Sequence, residues 1–490
     1  MALGEKIMDN QSQQIHIKKE VMAKLIEAYL SDDFEENTRL IPYDMRPIGA
    51  EVPYRCCIYK ERAILKTRII ADLGIPLEDD DERISLTTYA KNALNRDEIK
   101  DVNLTVLRSA CKKCSPNTIY VTDLCQGCVA RPCESACKFG AIKIQDGKAV
   151  IDSSKCKKCG LCTKSCPYHA IVKLSVPCED ACPVGAVKKD DTGSAIIDFE
   201  KCISCGKCIK ACPFGAVHEK SQMIDILKKI KEGKNVVALI APAIAGQFRG
   251  NLRQLKTAIL KTGFKDVFEV AMGADITAKN EAKEFVERMK NNMPFMTTSC
   301  CSGYIELVNK HLKEMKPYVS DTSTPLHYTA EYVKKLNPSC ITVFVAPCVA
   351  KRTEGFNDKY VDYVMNFEEM AALFIAKKIE VSECSETDFA NNSSKQARNF
   401  GVTSGVSEAV TKALKDEDMV KPLVINGINK DSIAKLTKIA HEGKCECNLI
   451  EVMNCKGGCI GGVSTINNQN IAQDLIKDAI KDSEDIEKID

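Results

Sequence analysis

The chain has 490 residues, a formal net charge of +2, 27 cysteines, no tryptophan and only 6 histidines. The near-neutral charge gives no basis for a nucleic-acid or membrane partner, and no stretch reaches the roughly 18 apolar residues that a spanning helix needs. The start, MALGEKIMDNQSQQ, lacks the apolar run of a secretory signal. We therefore expect a cytoplasmic protein, in which thiols stay reduced and dense cysteines bind metal more often than they form disulfides.

The chain divides into four predicted regions. Residues 1–108 are mainly helical and carry no recognisable chemistry; their Cys56 and Cys57 are expected to pack as small hydrophobic side chains. Residues 109–218 hold sixteen cysteines, and residues 219–234 form a charged helical linker. In residues 235–490, β-branched runs such as VVALIAP and LIEVMN alternate with helical stretches, which predicts an α/β domain. The predicted fold class is a multidomain α+β and α/β protein.

The sixteen cysteines follow a repeated spacing. CKKCGLCTKSCP (156–167) and CISCGKCIKACP (202–213) match the bacterial ferredoxin run C-x2-C-x2-C-x3-C-P, in which three thiolates bind one iron-sulfur cube and the fourth binds the neighbouring cube. CQGCVARPCESACKFGA (125–141) is a third copy, and VPCEDACPVGA (176–186) is half of a fourth, whose missing pair is assigned to ACKKC (110–114). These repeats predict two tandem two-cluster ferredoxin-like modules.

Sixteen ligands at four per cube predict four 4Fe-4S clusters. The predicted ligand sets are Cys125, Cys128, Cys133 with Cys166; Cys156, Cys159, Cys162 with Cys137; Cys202, Cys205, Cys208 with Cys182; and Cys111, Cys114, Cys178 with Cys212. Zinc ribbons or disulfides are the alternative, which the repeated CP ending and the expected compartment disfavour. Four closely spaced redox centres would conduct electrons one at a time.

Three further cysteine motifs occur in the α/β region, namely TSCCSGY (298–304), APCVAKRTE (346–354) and EVMNCKGGCIGG (451–462). They would bring four or five cysteines from three strand ends together, beside glycines that allow a bulky ligand to approach the backbone closely. At least one more cube is therefore predicted there.

Over residues 235–470 these motifs, with ferredoxin-like clusters before them, resemble the iron-only (FeFe) hydrogenases. The resemblance implies a two-lobed catalytic domain with an H-cluster, which is a 4Fe-4S cube joined to a diiron unit that carries carbon monoxide, cyanide and azadithiolate. It implies that Cys301, Cys348, Cys455 and Cys459 bind the cube, with Cys459 bridging to the diiron unit. Pro242 and Ala243 match positions beside the diiron unit.

The resemblance also implies three catalytic residues next to the diiron unit. Cys300 matches the thiol that exchanges protons with the azadithiolate amine. Lys351 matches the lysine that hydrogen-bonds a cyanide, and Met453 matches the methionine that lies against the diiron unit.

A proton relay is implied by the segment NEAKEFVER (280–288). Glu281, Glu284 and Arg288 lie along one face of the predicted helix, and Ser320 fits the hydroxyl member of the family's relay. The alternative for this helix alone is an exposed surface with an i, i+4 ion pair.

Several positions depart from the family motifs. The departures are Ser302 for proline, Tyr304 for tryptophan, Ala346 for methionine, Ala243 for serine and Leu326 for glutamine. They remove polar contacts around the diiron unit and are typical of a less common branch.

The implied reaction is 2H+ + 2e- ⇌ H2, with electrons exchanged with a ferredoxin-type carrier and with hydrogenase maturation proteins as further partners. No GxGxxG fingerprint occurs, so NAD(P)H would need a partner subunit. A hydrogen-sensing homologue of low turnover and a hydrogenase-like iron-sulfur assembly factor are the alternatives. Cys445 and Cys447 in KCECN are a weak candidate metal pair.

Overall fold

The computed structural model describes residues 13–49, 54–78, 80–97, 104–116, 118–414, 417–481 and 483–489. Residues 1–12, which make up most of the segment MALGEKIMDNQSQQ, lie outside the described residues. The expectation that this segment is not a secretory signal stays a prediction. No helix in the described ranges is long and apolar enough to cross a membrane.

The described residues of the N-terminal region form four helices, in agreement with the predicted helical character. They are α1 (Gln13–Leu30), α2 (Phe34–Met45), α3 (Ile58–Asp72) and α4 (Leu86–Asn95). Side chains of Asp33 and Ser85 cap α2 and α4 by accepting backbone N–H groups. The apolar face of α1, including Val21 and Leu25, is buried, and the helix packs against α15 (Phe367–Ala376) of the last region.

The cysteine-rich region contains eight short strands and four short helices. They are β1 (Leu104–Val106), β2 (Thr118–Val121), α5 (Pro132–Ser135), β3 (Ile142–Gln145), β4 (Lys148–Ile151), α6 (Leu161–Ser165), β5 (Ile171–Leu174), α7 (Pro177–Asp180), β6 (Val187–Lys189), β7 (Ala195–Ile197), α8 (Lys207–Ala211) and β8 (Val217–Glu219). All four strand pairs, β1–β8, β2–β5, β3–β4 and β6–β7, are antiparallel.

The pairing of β1 with β8 makes the two ferredoxin modules nested rather than strictly tandem. The first module, residues 118–174, is inserted between the two halves of the second. This arrangement explains how the second module takes its missing cysteine pair from upstream. Because β1 lies before residue 109, the second module also begins inside the region predicted as N-terminal.

The predicted linker 219–234 is helical but is not a free spacer. Helix α9 (Met223–Lys231) buries its first five residues, through Leu227, and Arg96 on the N-terminal region forms an ion pair with Asp225 at 2.7 Å. The segment is therefore part of the core that joins the regions.

The last region has two parallel sheets flanked by helices, as the alternation of strand and helix patterns predicts. The sheet orders are β10-β9-β12-β13 and β11-β15-β14. The strands are β9 (Val236–Ile240), β10 (Asp266–Glu269), β11 (Met296–Thr297), β12 (Ile341–Ala346), β13 (Tyr363–Asn366), β14 (Pro422–Asn426) and β15 (Leu449–Met453). The helices, besides α15, are α10 (Leu252–Lys261), α11 (Ala271–Lys290), α12 (Ser302–His311), α13 (Pro325–Leu336), α14 (Ala350–Asn357), α16 (Lys395–Arg398), α17 (Gly405–Lys412), α18 (Lys430–Glu442) and α19 (Gln469–Ala479). The three cysteine motifs follow β11, β12 and β15, so they meet between the carboxyl ends of the two sheets.

Candidate iron-sulfur and catalytic site

All four predicted cluster loops share one backbone feature. The second residue after the first cysteine of each set has a left-handed backbone, with φ of 52° at Lys113, 59° at Gly127, 57° at Lys158 and 52° at Ser204. Such a turn folds the loop back so that successive cysteines point to one side. The turn at Lys113 supports the assignment of Cys111 and Cys114 to the fourth set.

Backbone N–H groups point at the cysteine sulfurs in a repeated way. The N–H four residues after Cys137, Cys182 and Cys212 donates to the sulfur at 3.2–3.4 Å. The N–H two residues after Cys156 and Cys202 does so at 3.4 Å. Donors of this kind stabilise thiolates and tune the potential of iron-sulfur clusters, so the loops fit 4Fe-4S cubes.

Six of the eight predicted ligands of the first module lie in or against one small core, formed by residues between Ile119 and Ile171. Burial, followed by the charges of Cys128 and Cys166, raises the pKa of Cys133. This contact brings together three cysteines of one predicted set, including the member that crosses from the second half of the module.

The second module shows the same crossing. Burial raises the pKa of Cys178 to about 11, with a further contribution from Cys212, its predicted partner. Burial and the charges of Cys202 and Cys182 raise the pKa of Cys205 in the same way.

The motifs of the last region line a partly open cavity. Its lining includes all four predicted cube ligands, with Cys300, Lys351, Met453, Pro242, Ala243 and Leu326. Most of the lining is apolar, and Gly458 leaves no room for a side chain, since a Cβ there would lie 2.7 Å from the carbonyl oxygen of Gly401. The structure therefore brings every predicted cofactor residue to one place.

The donor set of this cavity fits an iron-sulfur cofactor. Burial raises the pKa of both Cys455 and Cys459 to about 12, and thiols of this kind ionise where a bound metal supplies the compensating positive charge. The N–H of Asn454 donates to the sulfur of Cys301 at 3.4 Å. Four thiols, an apolar wall and one buried cation match a cube joined to a diiron unit with anionic ligands.

The cation is Lys351, which α14 holds in place through Glu354 three residues later. Its Nζ donates to Glu354 Oε2 at 2.6 Å and to the carbonyl oxygen of Cys300 at 3.0 Å. Burial alone would lower the pKa of Lys351, but the Glu354 carboxylate outweighs burial and the pKa is raised. Lys351 is therefore a permanent positive charge at the cavity wall.

The predicted relay residues lie between the cavity, which Cys300 lines, and the ion pair of Glu284 with Arg288. Burial first and the charge of Glu281 second raise the pKa of Cys300, so this thiol stays protonated next to a carboxyl group. Ser320 donates to Glu284 Oε2 at 2.7 Å. Arg288 pairs with Glu284 at 2.7 Å.

The two carboxyl groups of the relay have opposite electrostatic properties. Glu281 is fully buried, its Oε2 has no partner among the described residues, and burial raises its pKa to about 7. Burial would also raise the pKa of Glu284, but donors from residues 320–322 and the charge of Arg288 lower it. A carboxyl group with a pKa near 7 both takes up and releases protons at neutral pH.

Sequence reasoning missed several polar residues around the relay. Ser299 donates to Glu281 Oε1 through its N–H and hydroxyl at 3.2 and 3.3 Å. The Thr322 hydroxyl donates to Glu284 at 2.7 Å, and the exposed Asp321 accepts from Arg288 at 2.9 Å. The spacing of Glu354 from Lys351, one helical turn, was a usable signal. The contacts of Asp321 and Thr322 are long-range and had none.

The ferredoxin part and the catalytic cavity meet at two cysteines. Burial first, and then the charges of Cys301, Cys459 and Cys205, raise the pKa of Cys455. Cys205 belongs to the second ferredoxin module, so a predicted cube of that module is adjacent to the predicted H-cluster cube.

Other cysteines gave mixed outcomes. Cys56 is exposed, so the expectation that it packs as a small hydrophobic side chain is wrong; its sulfur lies 3.8 Å from that of Cys57. Cys445 and Cys447 form a disulfide, which departs from the expectation of reduced thiols and leaves neither as a metal ligand in this state. Cys384 is buried and lies outside every predicted ligand set.

Comparison with known proteins identifies the family. The profile of the iron only hydrogenase large subunit, C-terminal domain, matches residues 234–463, and the profile of the 4Fe-4S binding domain matches residues 149–172 and 195–218. The chain is 30% identical to Iron hydrogenase 1 of Clostridium pasteurianum over 50% of its own length and 52% of that protein. Residues 234–463 of the chain therefore belong to the iron-only hydrogenase family.

Two further similarities complete the comparison. Cytosolic iron-sulfur assembly component 3 of Mus musculus is 24% identical over 50% of this chain and 65% of that protein. A solved apo FeFe hydrogenase from Chlamydomonas reinhardtii has a TM-score of 0.43 at 18% identity, covering 52% of this chain and 87% of that one. The chain spans about half the length of the curated hydrogenase that it matches, and its relatives include proteins of more than one function.

Proposed function

We propose that the protein is an FeFe hydrogenase that catalyses 2H+ + 2e- ⇌ H2. When bound, an H-cluster would supply the metal at which protons and electrons combine. Cys301, Cys348, Cys455 and Cys459 would hold it, Lys351 would bind an anionic ligand, and the apolar wall would exclude bulk water.

One observation supports this proposal most, namely the fully buried Glu281 with an unpartnered Oε2 among the described residues, on the proposed relay from Cys300 through Glu281, Ser320 and Glu284 to Arg288. A protein that only transfers or assembles iron-sulfur clusters has no need for a buried carboxyl group with a pKa near 7 behind its cluster site. A hydrogenase needs such a group, because every turnover moves two protons through an apolar wall.

Electrons would pass between a ferredoxin-type carrier and the cavity through four 4Fe-4S clusters. The adjacency of Cys205 and Cys455 supports this direction of flow. Maturation proteins would supply the diiron unit. We place this chemistry in the cytoplasm, where thiol ligands stay reduced.

The test is infrared spectroscopy of protein matured with the diiron cofactor, together with hydrogen production. We expect carbon monoxide and cyanide stretching bands, about 22 irons per chain, and turnover. Cys384→Ser, at a buried cysteine outside every predicted ligand set, is the matched control and should keep the infrared bands, the iron content and the turnover. Cys459→Ser should lose the infrared bands.

The outcomes separate the rival functions. Protein with a full complement of cubes but without carbon monoxide and cyanide bands would be an assembly factor. Protein with the bands but with little turnover would be a hydrogen sensor.

A further inference from the structure

A polar cleft lies beside the cofactor cavity and shares a wall with it. The cleft opens to solvent and is lined by residues that include Ser302, Thr324, His327, Glu354 and Asp358. Ser302 also lines the cofactor cavity. The side chain that touches both spaces is thus a serine at the motif position where the family has proline.

Glu354 stands in this wall and gathers three donors. Its Oε2 accepts the Ser302 hydroxyl and the Lys351 ammonium group, and its Oε1 accepts the Thr324 hydroxyl at 2.6 Å. The side chain of Glu354 is 13% exposed, so its carboxylate touches water in the cleft while it is hydrogen-bonded to the cavity wall.

Charged groups face Glu354 from both sides. Lys351 lies on the cavity side and forms an ion pair with it. On the cleft side, His327 Nδ1 lies 2.7 Å from Asp358 Oδ2, and Glu306 is a further acidic residue in the lining. Glu354 therefore connects the hydroxyl of Ser302 to a polar cleft.

We propose that Ser302 and Glu354 form a second proton route between the cofactor cavity and the cleft, parallel to the relay through Glu281. For each proton that leaves, Ser302 Oγ accepts a proton from the cavity side while its hydroxyl proton moves to Glu354 Oε2. Glu354 then transfers that proton to water in the cleft, and no electron moves. Entry of a proton is the reverse. The use of this route rests on the proposed function, since the cavity must produce or consume protons.

Ser302 allows a test that does not disturb folding. Ser302 is the first residue of α12, and the first position of a helix is where proline is tolerated best. The backbone of Cys301 before it is extended, with φ −89° and ψ 102°, as the residue before a proline requires. Ser302→Pro therefore removes the hydroxyl at a compatible site, and Ser302→Thr keeps it. Ser302→Ala removes the hydroxyl without any demand on the backbone.

The experiment follows hydrogen–deuterium exchange at the Cys300 thiol, using its S–H stretching band in full-length protein that carries its 4Fe-4S cubes but lacks the diiron unit. Subtraction of the spectrum of Cys300→Ala isolates the band. With the first relay blocked by Glu281→Gln, we expect exchange to remain fast. Adding Ser302→Pro or Ser302→Ala should slow exchange by at least about tenfold, whereas adding Ser302→Thr should not.

Two results would overturn the route: unchanged exchange after Ser302→Pro and Ser302→Ala, or equal slowing by Ser302→Thr. Turnover of the same variants after maturation is the second measurement, where residual hydrogen production in Glu281→Gln should fall only when the hydroxyl is removed. Because thiol exchange is measured without the diiron unit, it decides the route even if the matured protein produces no hydrogen.

Discussion

At the scale of single residues, Glu281 is the group on which the proposed chemistry depends most. It is fully buried beside Cys300, and its pKa of about 7 lies at working pH. We expect Glu281→Gln to lower hydrogen production by about 10²- to 10⁴-fold, the range typical of a positioned acid–base group. Infrared bands of the cofactor should be unchanged. Loss of the bands would mean that Glu281 is needed for cofactor insertion instead.

The same residue predicts a pH-dependent stability. Its pKa is raised from an ordinary 4.5 to about 7 in the folded state, so between these values the folded chain binds more protons than the unfolded chain, and stability falls as pH rises through that window. The loss amounts to roughly 3 kcal/mol.

Thermal unfolding of Glu281→Gln and the unsubstituted protein at about pH 5 and pH 8 checks this sign. The Tm of Glu281→Gln relative to the unsubstituted protein should rise with pH. Glu284→Gln is the control, because the lowered pKa of Glu284 leaves this carboxyl ionised across the window. A parallel shift in both variants would contradict the argument.

The sequence located single residues where a family motif includes them and not where a distant contact decides. The resemblance to the family's motifs implied Cys300, Lys351 and Met453, and all three line the cavity, while their roles stay predictions. The exposure of Cys56 and the role of Thr322 depend on packing between segments far apart in the chain, which no local pattern contains.

At the scale of elements, a buried arginine joins the catalytic region to the ferredoxin part. Arg352 on α14 donates to Glu219 of β8 at 3.0 Å and to both carboxylate oxygens of Glu369 on α15 at 2.7 Å. All three side chains are at most 2% exposed. Arg352→Met would leave two buried carboxylates without their cation, at a cost of about 3–5 kcal/mol.

The measurement is thermal unfolding with the clusters loaded. We expect a lower Tm and separate transitions for the two parts of the chain, since Glu219 belongs to one and Arg352 to the other. Arg253→Met is the control, because Arg253 is an exposed arginine whose ion pair with Glu386 spans 3.5 Å; its effect should stay within about 0.5 kcal/mol. An equal effect of both substitutions would refute a special role for Arg352.

The sequence predicted whether a segment forms a helix or a strand, but it did not predict which segment each one pairs with. Runs such as ITVFVAP and PLVING form strands β12 and β14, because β-branched residues favour this conformation. Glu281 and Arg288 lie in α11, as the local periodicity predicts. The pairing of β1 with β8 joins segments more than a hundred residues apart, so it could be inferred only indirectly, from a cysteine pair that its repeat lacked.

At the scale of the whole molecule, the proposed electron path has an outer end and an inner end. The core of the first module contains only its own residues, whereas the second module packs on the catalytic region, with Lys207 donating to the carbonyl oxygen of Ile428 and Lys210 to that of Gly462. The first module therefore lies at the outer end of the proposed electron path, and Cys205 lies at the inner end beside Cys455.

We therefore expect the loss of a cluster from the first module to affect hydrogen production differently with a protein electron donor and with a small dye. Cys133→Ala removes a buried ligand of the first module, and iron content should fall by about four irons as one cube is lost. Hydrogen production driven by a ferredoxin-type protein should then fall strongly, because that carrier is too large to reach the inner clusters. Production driven by a small reduced dye should be largely kept, since the dye approaches the second module directly.

Cys384→Ser, which removes no predicted ligand, should leave both rates unchanged. Equal loss with both donors in Cys133→Ala would mean that electrons do not enter through the first module.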